Sequence, residues 1–215
     1  MIVLDHEQGS PEWIAARLGI PTSSCFARII TPKTLKLSSS ADGYMCELLA
    51  EWMLGASLDP YVSEWMERGK ELEEQAFAYY AFARDAEPSK VGVILSDDAW
   101  VGCSPDALVG EDGGLEIKCP APAKHVANML DMTTHYMTQV QGGMWLTGRK
   151  WWDMMSYHPE LPTAIVRIER DEEYIGALAS AVGSFLTRLH DAQCALIEAG
   201  HVDDGKRRLL PGLVE

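Results

Sequence analysis

The sequence predicts a mixed α/β domain in which helices flank a central mixed β-sheet. Several long segments repeat apolar residues at helical spacing, and several short apolar runs have the length and composition of strands. Their order is helices, a sheet with a hairpin, helices, two strands and a last helix, which is typical of α/β domains. With 215 residues, 47% of them hydrophobic, and no Pro- or Ser-rich linker, the chain predicts one domain over 1–215, whose end from about 201 is a mobile tail.

The N-terminal part predicts two short helices. Ser10-Pro11-Glu12 places a capping serine before a proline in the first turn, and Gly19 ends this helix. Thr22-Ser23-Ser24 predicts the cap of a second helix that runs through Ile30, and 31–39 is expected to be a loop.

The remaining elements follow from periodicity and from turn-forming residues. An amphipathic helix ends at Gly55, and its apolar stripe comprises Met45, Leu48, Leu49, Trp52 and Met53. Further helices are predicted over 63–83, 123–130, 136–146 and 171–198. Strands are predicted over 91–95, 100–103, 115–118, 151–157 and 164–168.

The net charge of −14 argues at first against binding to nucleic acid, because such proteins usually present a basic surface. The average leaves room for a local basic lining inside an acidic exterior. Candidates for that lining are Arg17, Arg28, Lys33, Lys36, Arg68 and Lys70. For each of them taken alone, a solvated surface charge is the preferred explanation.

Two further features of the composition narrow the class of protein. No run approaches the roughly 18 apolar residues of a membrane span, and the N-terminus lacks a basic region followed by a cleavage site, so we expect no membrane partner and a cytoplasmic location. The five cysteines are scattered without C-x-x-C spacing, which favours reduced thiols over a zinc or iron–sulfur site.

Two carboxylates and an amine stand close together in the middle of the chain. Glu116 and Lys118 lie two residues apart, so in a strand they share one face while their apolar neighbours face the core. Between Asp106 and Glu116 lie the turn formers Gly110, Asp112, Gly113 and Gly114. A hairpin at these residues would bring Asp106 beside Glu116. The alternative is an ordinary edge strand with a surface Glu/Lys pair.

This arrangement has the chemistry of a magnesium-dependent nuclease. Mg²⁺ prefers oxygen ligands and keeps several waters, so Asp106, Glu116 and the backbone carbonyl of Ile117 would suffice to hold it. We expect two such ions, with Mn²⁺ able to replace them. Lys118 would orient the attacking water, accept its proton if its own pKa is depressed, or stabilise charge in the transition state.

The constellation resembles the PD-(D/E)xK nuclease superfamily, which implies a restriction-endonuclease-like core. Over residues 8 to 170 the chain is also similar to the phage λ exonuclease (YqaJ-type) recombinases, because five motifs occur in order. These are Glu12-Trp13 with 18–24, Arg68-Gly69-Lys70 with Glu73, 103–106, 116–120 and 136–141.

The resemblance implies an alkaline-type exonuclease that loads on a double-stranded DNA end. It digests the 5′-ended strand to mononucleotides and leaves a 3′ overhang for a single-strand annealing recombinase. Members act as ring-shaped homotrimers of phage or prophage origin. On this resemblance Asp106 and Glu116 become metal ligands, Lys118 the catalytic amine, and Glu73 and Gln139 supporting groups. The alternatives are a helix-surface acid for Glu73 and an amide satisfied by neighbouring backbone for Gln139.

Digestion from a 5′ end also needs a group that holds the terminal phosphate, and an arginine beside hydroxyls suits that task. Arg17, Thr22, Ser24 and Ser104 match the family's pocket, although Thr22 and Ser24 could equally be a plain helix cap. Met66 could contribute to a wedge that splits the terminal base pairs, but a core methionine is the preferred explanation.

Two other functions remain open on the sequence. One is a structure-specific endonuclease or RecB-like nuclease module that shares the metal core without the phosphate pocket. The other is a non-catalytic module that binds DNA ends or a recombination protein.

Overall fold

The computed structural model describes residues 1–58 and 64–202, without the side chains of 64–71. The candidate roles of Met66, Arg68 and Lys70, and most of the predicted tail, therefore lie outside the described residues. The single domain over 1–215 stays a prediction.

Six α-helices, one 3₁₀ helix and eight strands occur in the described part of the chain. The helices are α1 (Pro11–Arg17), α2 (Ala41–Leu54), α3 (Glu64–Arg84), α4 (Pro122–Leu130), α5 (Thr133–Thr147) and α6 (Glu172–Glu198), and the 3₁₀ helix is Ser23–Arg28. The strands are β1 (Ile2–Leu4), β2 (Pro88–Ser89), β3 (Val93–Leu95), β4 (Gly102–Cys103), β5 (Ala107–Val109), β6 (Gly113–Lys118), β7 (Trp151–Ser156) and β8 (Ala164–Glu169). The predicted mixed α/β class is confirmed.

The strands form two sheets, one of three strands in the order β1-β3-β4 and one of five in the order β2-β5-β6-β7-β8. In the larger sheet β6 pairs antiparallel with β5 and parallel with β7, and α4 and α5 make the crossover between the parallel strands. Strand β6 therefore lies in the middle of the sheet, which excludes the edge-strand alternative for Glu116 and Lys118.

Helices cover both faces of the larger sheet. Leu115 and Ile117 of β6 pack with Ala76 and Tyr80 of α3 on one face, whereas Met154 of β7 packs with α5 on the other. A separate core joins the 3₁₀ helix, α2 and α6. Within the described residues, no helix combines the length and the apolar character needed to cross a membrane.

The predicted helix boundaries agree where capping residues marked them. The Ser10 hydroxyl accepts a hydrogen bond from Trp13 N–H at the start of α1, and Asp171 caps α6 in the same way through Tyr174 N–H. Gly55 ends α2 in the left-handed conformation, with φ of +65°.

The second predicted helix is present, but it is a 3₁₀ helix and ends before Ile30. Ser23–Arg28 is a 3₁₀ helix, and its N-terminal residue Thr22 makes no side-chain cap. The backbone of Thr22 instead forms an isolated parallel bridge with Gly102, and Gly102 N–H donates to Pro21 O at 3.1 Å. This tertiary pairing holds residue 22 extended, so the helix begins at Ser23.

Two glycines allow β6 to pack closely against the tryptophans of β7. A Cβ atom at Gly114 would lie 2.3 Å from Cε3 of Trp152, whose side chain is buried, and Gly113 faces Trp151 in the same way. The sheet can keep both indole rings in place only while these positions lack side chains.

Gly114→Ala is therefore expected to lower the free energy of unfolding by about 2 to 3 kcal/mol, because a methyl group must displace a packed ring. Urea denaturation followed by tryptophan fluorescence measures the change. Gly43→Ala is the matched control, since its Cβ would meet nothing within 4 Å in α2, and this substitution should be neutral or stabilising. Equal effects of the two substitutions would contradict the packing argument.

Candidate active site

A hairpin of β5 and β6 brings Asp106 to Glu116. Ala107 pairs with Leu115 in the antiparallel register, which places the preceding Asp106 opposite the following Glu116. Oδ2 of Asp106 accepts a hydrogen bond from Ile117 N–H at 2.5 Å. Arg149 fastens the turn, with Nη1 donating to Gly110 O at 2.8 Å and to Gly113 O at 2.7 Å. The predicted hairpin is present.

Glu116 is a buried carboxylate, with 6% of the residue exposed. Lys118 Nζ and Gln139 Nε2 each donate to its Oε1 at 2.6 Å. The amide of Gln139 on α5 therefore bonds to the acid, and not to neighbouring backbone as the alternative had it. The structure brings these three predicted residues into one cluster.

The carboxylates of this cluster repel one another. Burial and then the charge of Glu116 raise the pKa of Asp106 well above its usual value, against the opposing effects of Lys118 and Ile117 N–H. The charge of Glu73 adds to the rise, and after burial it also contributes to a raised pKa of about 11 at Cys119. Glu73 itself is partly exposed, and its supporting role stays a prediction.

The residues fit a magnesium ion. The described residues hold no group of three or more His, Cys, Asp or Glu side chains placed as a metal cage. Mg²⁺ does not require one, because one or two carboxylates with water and substrate oxygens satisfy its octahedral shell. Asp106 and Glu116 supply that pair, and the repulsion between them is what a divalent cation would relieve. The carbonyl of Ile117 as a ligand stays a prediction.

Lys118 is held as a cation in this arrangement. Burial lowers the pKa of its amine, but the charges of Glu116 and Asp106 outweigh burial and raise it above the ordinary value. Its Nζ also lies 5.5 Å from the ring centre of Tyr136. Of the three roles considered for Lys118, an ammonium suits orienting water and stabilising charge.

Arg17 forms a second cluster with two of the predicted hydroxyls. Its Nη2 donates to Thr22 Oγ1 at 3.3 Å, and Thr22 Oγ1 lies 3.2 Å from Ser24 Oγ. The guanidinium stacks on the Trp13 ring at 3.9 Å, and burial lowers the pKa of Arg17. Because Thr22 makes no cap, its hydroxyl serves this cluster.

Two buried polar atoms at these predicted positions have no hydrogen-bond partner among the described residues, namely Arg17 Nε and Ser104 Oγ. Buried donors without partners are costly, so they point to a ligand or water that completes them. Cys103, next to Ser104, is affected by the charges of both Arg17 and Glu116. Burial raises its pKa to about 12, the charge of Glu116 adds to the rise, and Arg17 opposes it.

Comparison with known proteins identifies the family. Residues 12–150 match the model of the YqaJ-like viral recombinase domain. The chain belongs to the YqaJ-like viral recombinase family. No curated protein sequence matches it.

Solved structures agree with this YqaJ-like assignment. The alkaline exonuclease LHK-Exo from Laribacter hongkongensis is 35% identical, with a TM-score of 0.80 over 89% of this chain and 98% of that chain. The complex of LHK-Exo with dAMP is 35% identical and gives a TM-score of 0.79 over 89% and 99%. A phage-related exonuclease from Haemophilus somnus 129PT, 19% identical, shares the fold with a TM-score of 0.67 over 83% and 96%.

One residue that contacts the site was not predicted. Gln8 Nε2 donates to Pro105 O at 2.8 Å and to Val91 O at 3.2 Å, which fixes the peptide before Asp106. A single amide in an N-terminal loop carries no spacing signal, so sequence reasoning had no means of finding it.

Proposed function

We propose that this chain is a Mg²⁺-dependent exonuclease that digests the 5′-ended strand of double-stranded DNA to mononucleotides and leaves a 3′ overhang. The observation that carries the proposal is the partly buried Arg17 cluster, in which Arg17 bonds to Thr22. The backbone of Thr22 pairs with Gly102, and the segment from Gly102 leads directly to Asp106. An anion pocket joined in this way to a carboxylate site is what cutting beside a terminal phosphate requires. The 35% identity to an alkaline exonuclease supports the reaction class.

The residues divide the work of hydrolysis between them. Asp106 and Glu116, with the Ile117 carbonyl, would hold Mg²⁺, and the chemistry supplied there is a more acidic water and compensation of phosphate charge. Lys118, as an ammonium 2.6 Å from Glu116, orients the attacking water and offsets charge that develops on the phosphoryl oxygens. Gln139 holds the Glu116 carboxylate in its rotamer, and Glu73 adds negative charge that favours a cation.

The pocket supports the proposed direction of digestion. Arg17 with Thr22, Ser24 and Ser104 offers charged and neutral donors to a phosphate, which is recognised best by such combinations. Each cleavage of the 5′-ended strand creates a new 5′-phosphate, so the pocket can be filled again after every step. A 5′-hydroxyl end would leave Arg17 without its anion.

The assembly belongs to the same proposal. A homotrimeric ring would gather cationic side chains inward and leave the acidic surface outward, which reconciles the charge of −14 with a DNA substrate. We propose this ring, a single-strand annealing recombinase as partner, and action in the cytoplasm of a bacterial host of phage or prophage genes. A monomer in analytical ultracentrifugation at working concentration would contradict the ring.

Linear duplexes labelled at either end test the activity. With Mg²⁺ we expect mononucleotides from the 5′-ended strand, faster release from 5′-phosphate than from 5′-hydroxyl ends, and no reaction in EDTA. Digestion from the 3′ end would overturn the proposal, and so would equal rates on duplexes with 5′-phosphate and with 5′-hydroxyl ends. Nicking of closed circles would favour the endonuclease alternative, and binding without cleavage would favour the non-catalytic module.

A further inference from the structure

A buried carboxylate outside the site ties α3 to the larger sheet. Asp153 of β7 is 0% exposed. Arg167 of β8 donates to it twice, from Nε at 2.8 Å and from Nη2 at 2.9 Å. From α3, Tyr80 donates its hydroxyl to Asp153 Oδ2 at 2.9 Å, and Arg84 Nε lies 3.5 Å from the same oxygen.

An isolated carboxylate at such a depth would be strongly unfavourable, so each of its partners matters to the geometry around it. Tyr80 is itself fully buried, and burial together with the charge of Asp153 raises its pKa, so the phenol stays protonated and donates. The Tyr80 hydrogen bond is directional, whereas the apolar contacts of the same helix tolerate sliding. This bond therefore sets where α3 lies along β7.

The same face of α3 leads to the candidate active site. Glu73, Ala76, Tyr80 and Arg84 are spaced by three, four and four residues, so they share one side of the helix. Ala76 and Tyr80 are 0% exposed in the core between α3 and the sheet. Ala76, one turn after Glu73, packs with Leu115 and Ile117, the residues on either side of Glu116 in β6. A shift of α3 along the sheet would move Glu73 relative to the carboxylates.

We propose that Tyr80 and Asp153 are positioning residues, which fix α3 on the sheet and thereby hold Glu73 at the distance from Asp106 and Glu116 that divalent-cation binding requires. The inference rests on the proposed function for its meaning in catalysis. Its effect on cation affinity is separate and is measured without DNA.

Tyr80→Phe tests the inference because it removes the hydroxyl and keeps the ring. Mn²⁺ binding to the DNA-free protein, followed by electron paramagnetic resonance of the free ion, is expected to weaken by about 10-fold, as for other groups that orient metal ligands. The Mg²⁺ concentration for half-maximal nuclease activity should rise by a similar factor, while KM for DNA stays unchanged. Unchanged Mn²⁺ affinity would overturn the proposal.

A double-mutant cycle with Glu73→Gln shows whether Tyr80 acts through Glu73. Glu73→Gln alone should weaken Mn²⁺ binding, and adding Tyr80→Phe should then change it little. Additive losses in the double variant would also overturn the proposal. Should Tyr80→Phe fail to fold, Arg84→Gln alters the same network from its half-exposed end, and the same cycle applies with a smaller shift.

Tyr174→Phe is the matched control. It also removes a phenol hydrogen bond, from Tyr174 to Pro32 O at 3.2 Å, in a core away from α3. Mn²⁺ affinity should not change, and a shift equal to that of Tyr80→Phe would assign the effect to general loss of stability. If the Mn²⁺ affinities of the variants change as expected but the wild-type protein has no nuclease activity, the proposed function fails and the positioning role stands.

Discussion

Lys118→Ala is expected to reduce turnover on linear duplex by about 100- to 1,000-fold, the scale at which removal of a preorganised donor lowers enzyme rates. The Lys118 amine bonds to Glu116 at 2.6 Å and stays protonated there, so its loss removes the cation that we propose faces the reacting phosphate. Because Asp106 and Glu116 remain, Mn²⁺ binding should persist. Single-turnover release of mononucleotides measures the first outcome, and electron paramagnetic resonance of free Mn²⁺ measures the second, with circular dichroism to check that the variant is folded.

Lys150→Ala controls for the loss of a positive charge. Lys150 pairs with Asp112 at 3.0 Å across an exposed turn, with 71% of its side chain accessible, so its removal should leave turnover unchanged. If Lys118→Ala and wild-type protein cut alike in Mg²⁺, Lys118 has no catalytic role and the non-catalytic binding module becomes the better description.

Arg17→Ala is expected to abolish the preference for a 5′-phosphate. The rate on 5′-phosphorylated duplex should fall by about 10- to 100-fold, which corresponds to the loss of one or two hydrogen bonds to a charged group. The rate on 5′-hydroxyl duplex should change little, because that end offers Arg17 no anion. Nucleotides released per binding event, counted in the presence of a competitor duplex, should fall together with the rate.

Two variants separate this role from a general loss of positive charge. Arg17→Lys keeps a charge but loses the planar set of donors and the stack on Trp13, so it should restore only part of the phosphate preference. Arg188 of α6 pairs with Asp42 of α2, and Arg188→Ala, which removes this charge, should behave like wild type. An Arg17→Ala protein that still prefers the 5′-phosphate would remove the main support for digestion from that end.

Local chemistry made the centre of the site predictable. Gly110 and Asp112 signalled the turn, whereas Gly113 and Gly114 belong to β6; once the turn is known, the period of two in a strand places Glu116 and Lys118 together. The burial of both faces of β6 was less predictable. Glu116 was expected to face a polar side opposite the core, but α5 covers that face, and Glu116 is as buried as its apolar neighbours.

Long-range contacts account for most of what the sequence did not reveal. Strands β1 and β2 are three and two residues long, too short for a periodic pattern, and they exist because of their partners β3 and β5. Asp153 follows two tryptophans and precedes two methionines in β7, and this sequence did not indicate that Tyr80 and two arginines would contact the carboxylate. Such pairings join residues far apart in sequence, where propensity and spacing carry no information.

The hairpin of β5 and β6 also bears on the order in which the site forms during folding. Its two carboxylates meet across a short turn, a contact that closes early because little chain entropy is lost. Pairing of β6 with β7, and the arrival of Gln139 on α5, must wait for the whole crossover to close. Until then Lys118, which belongs to the same hairpin, supplies the positive charge beside Glu116. In the forming hairpin Lys118 thus serves first as a counter-ion for its neighbouring acids.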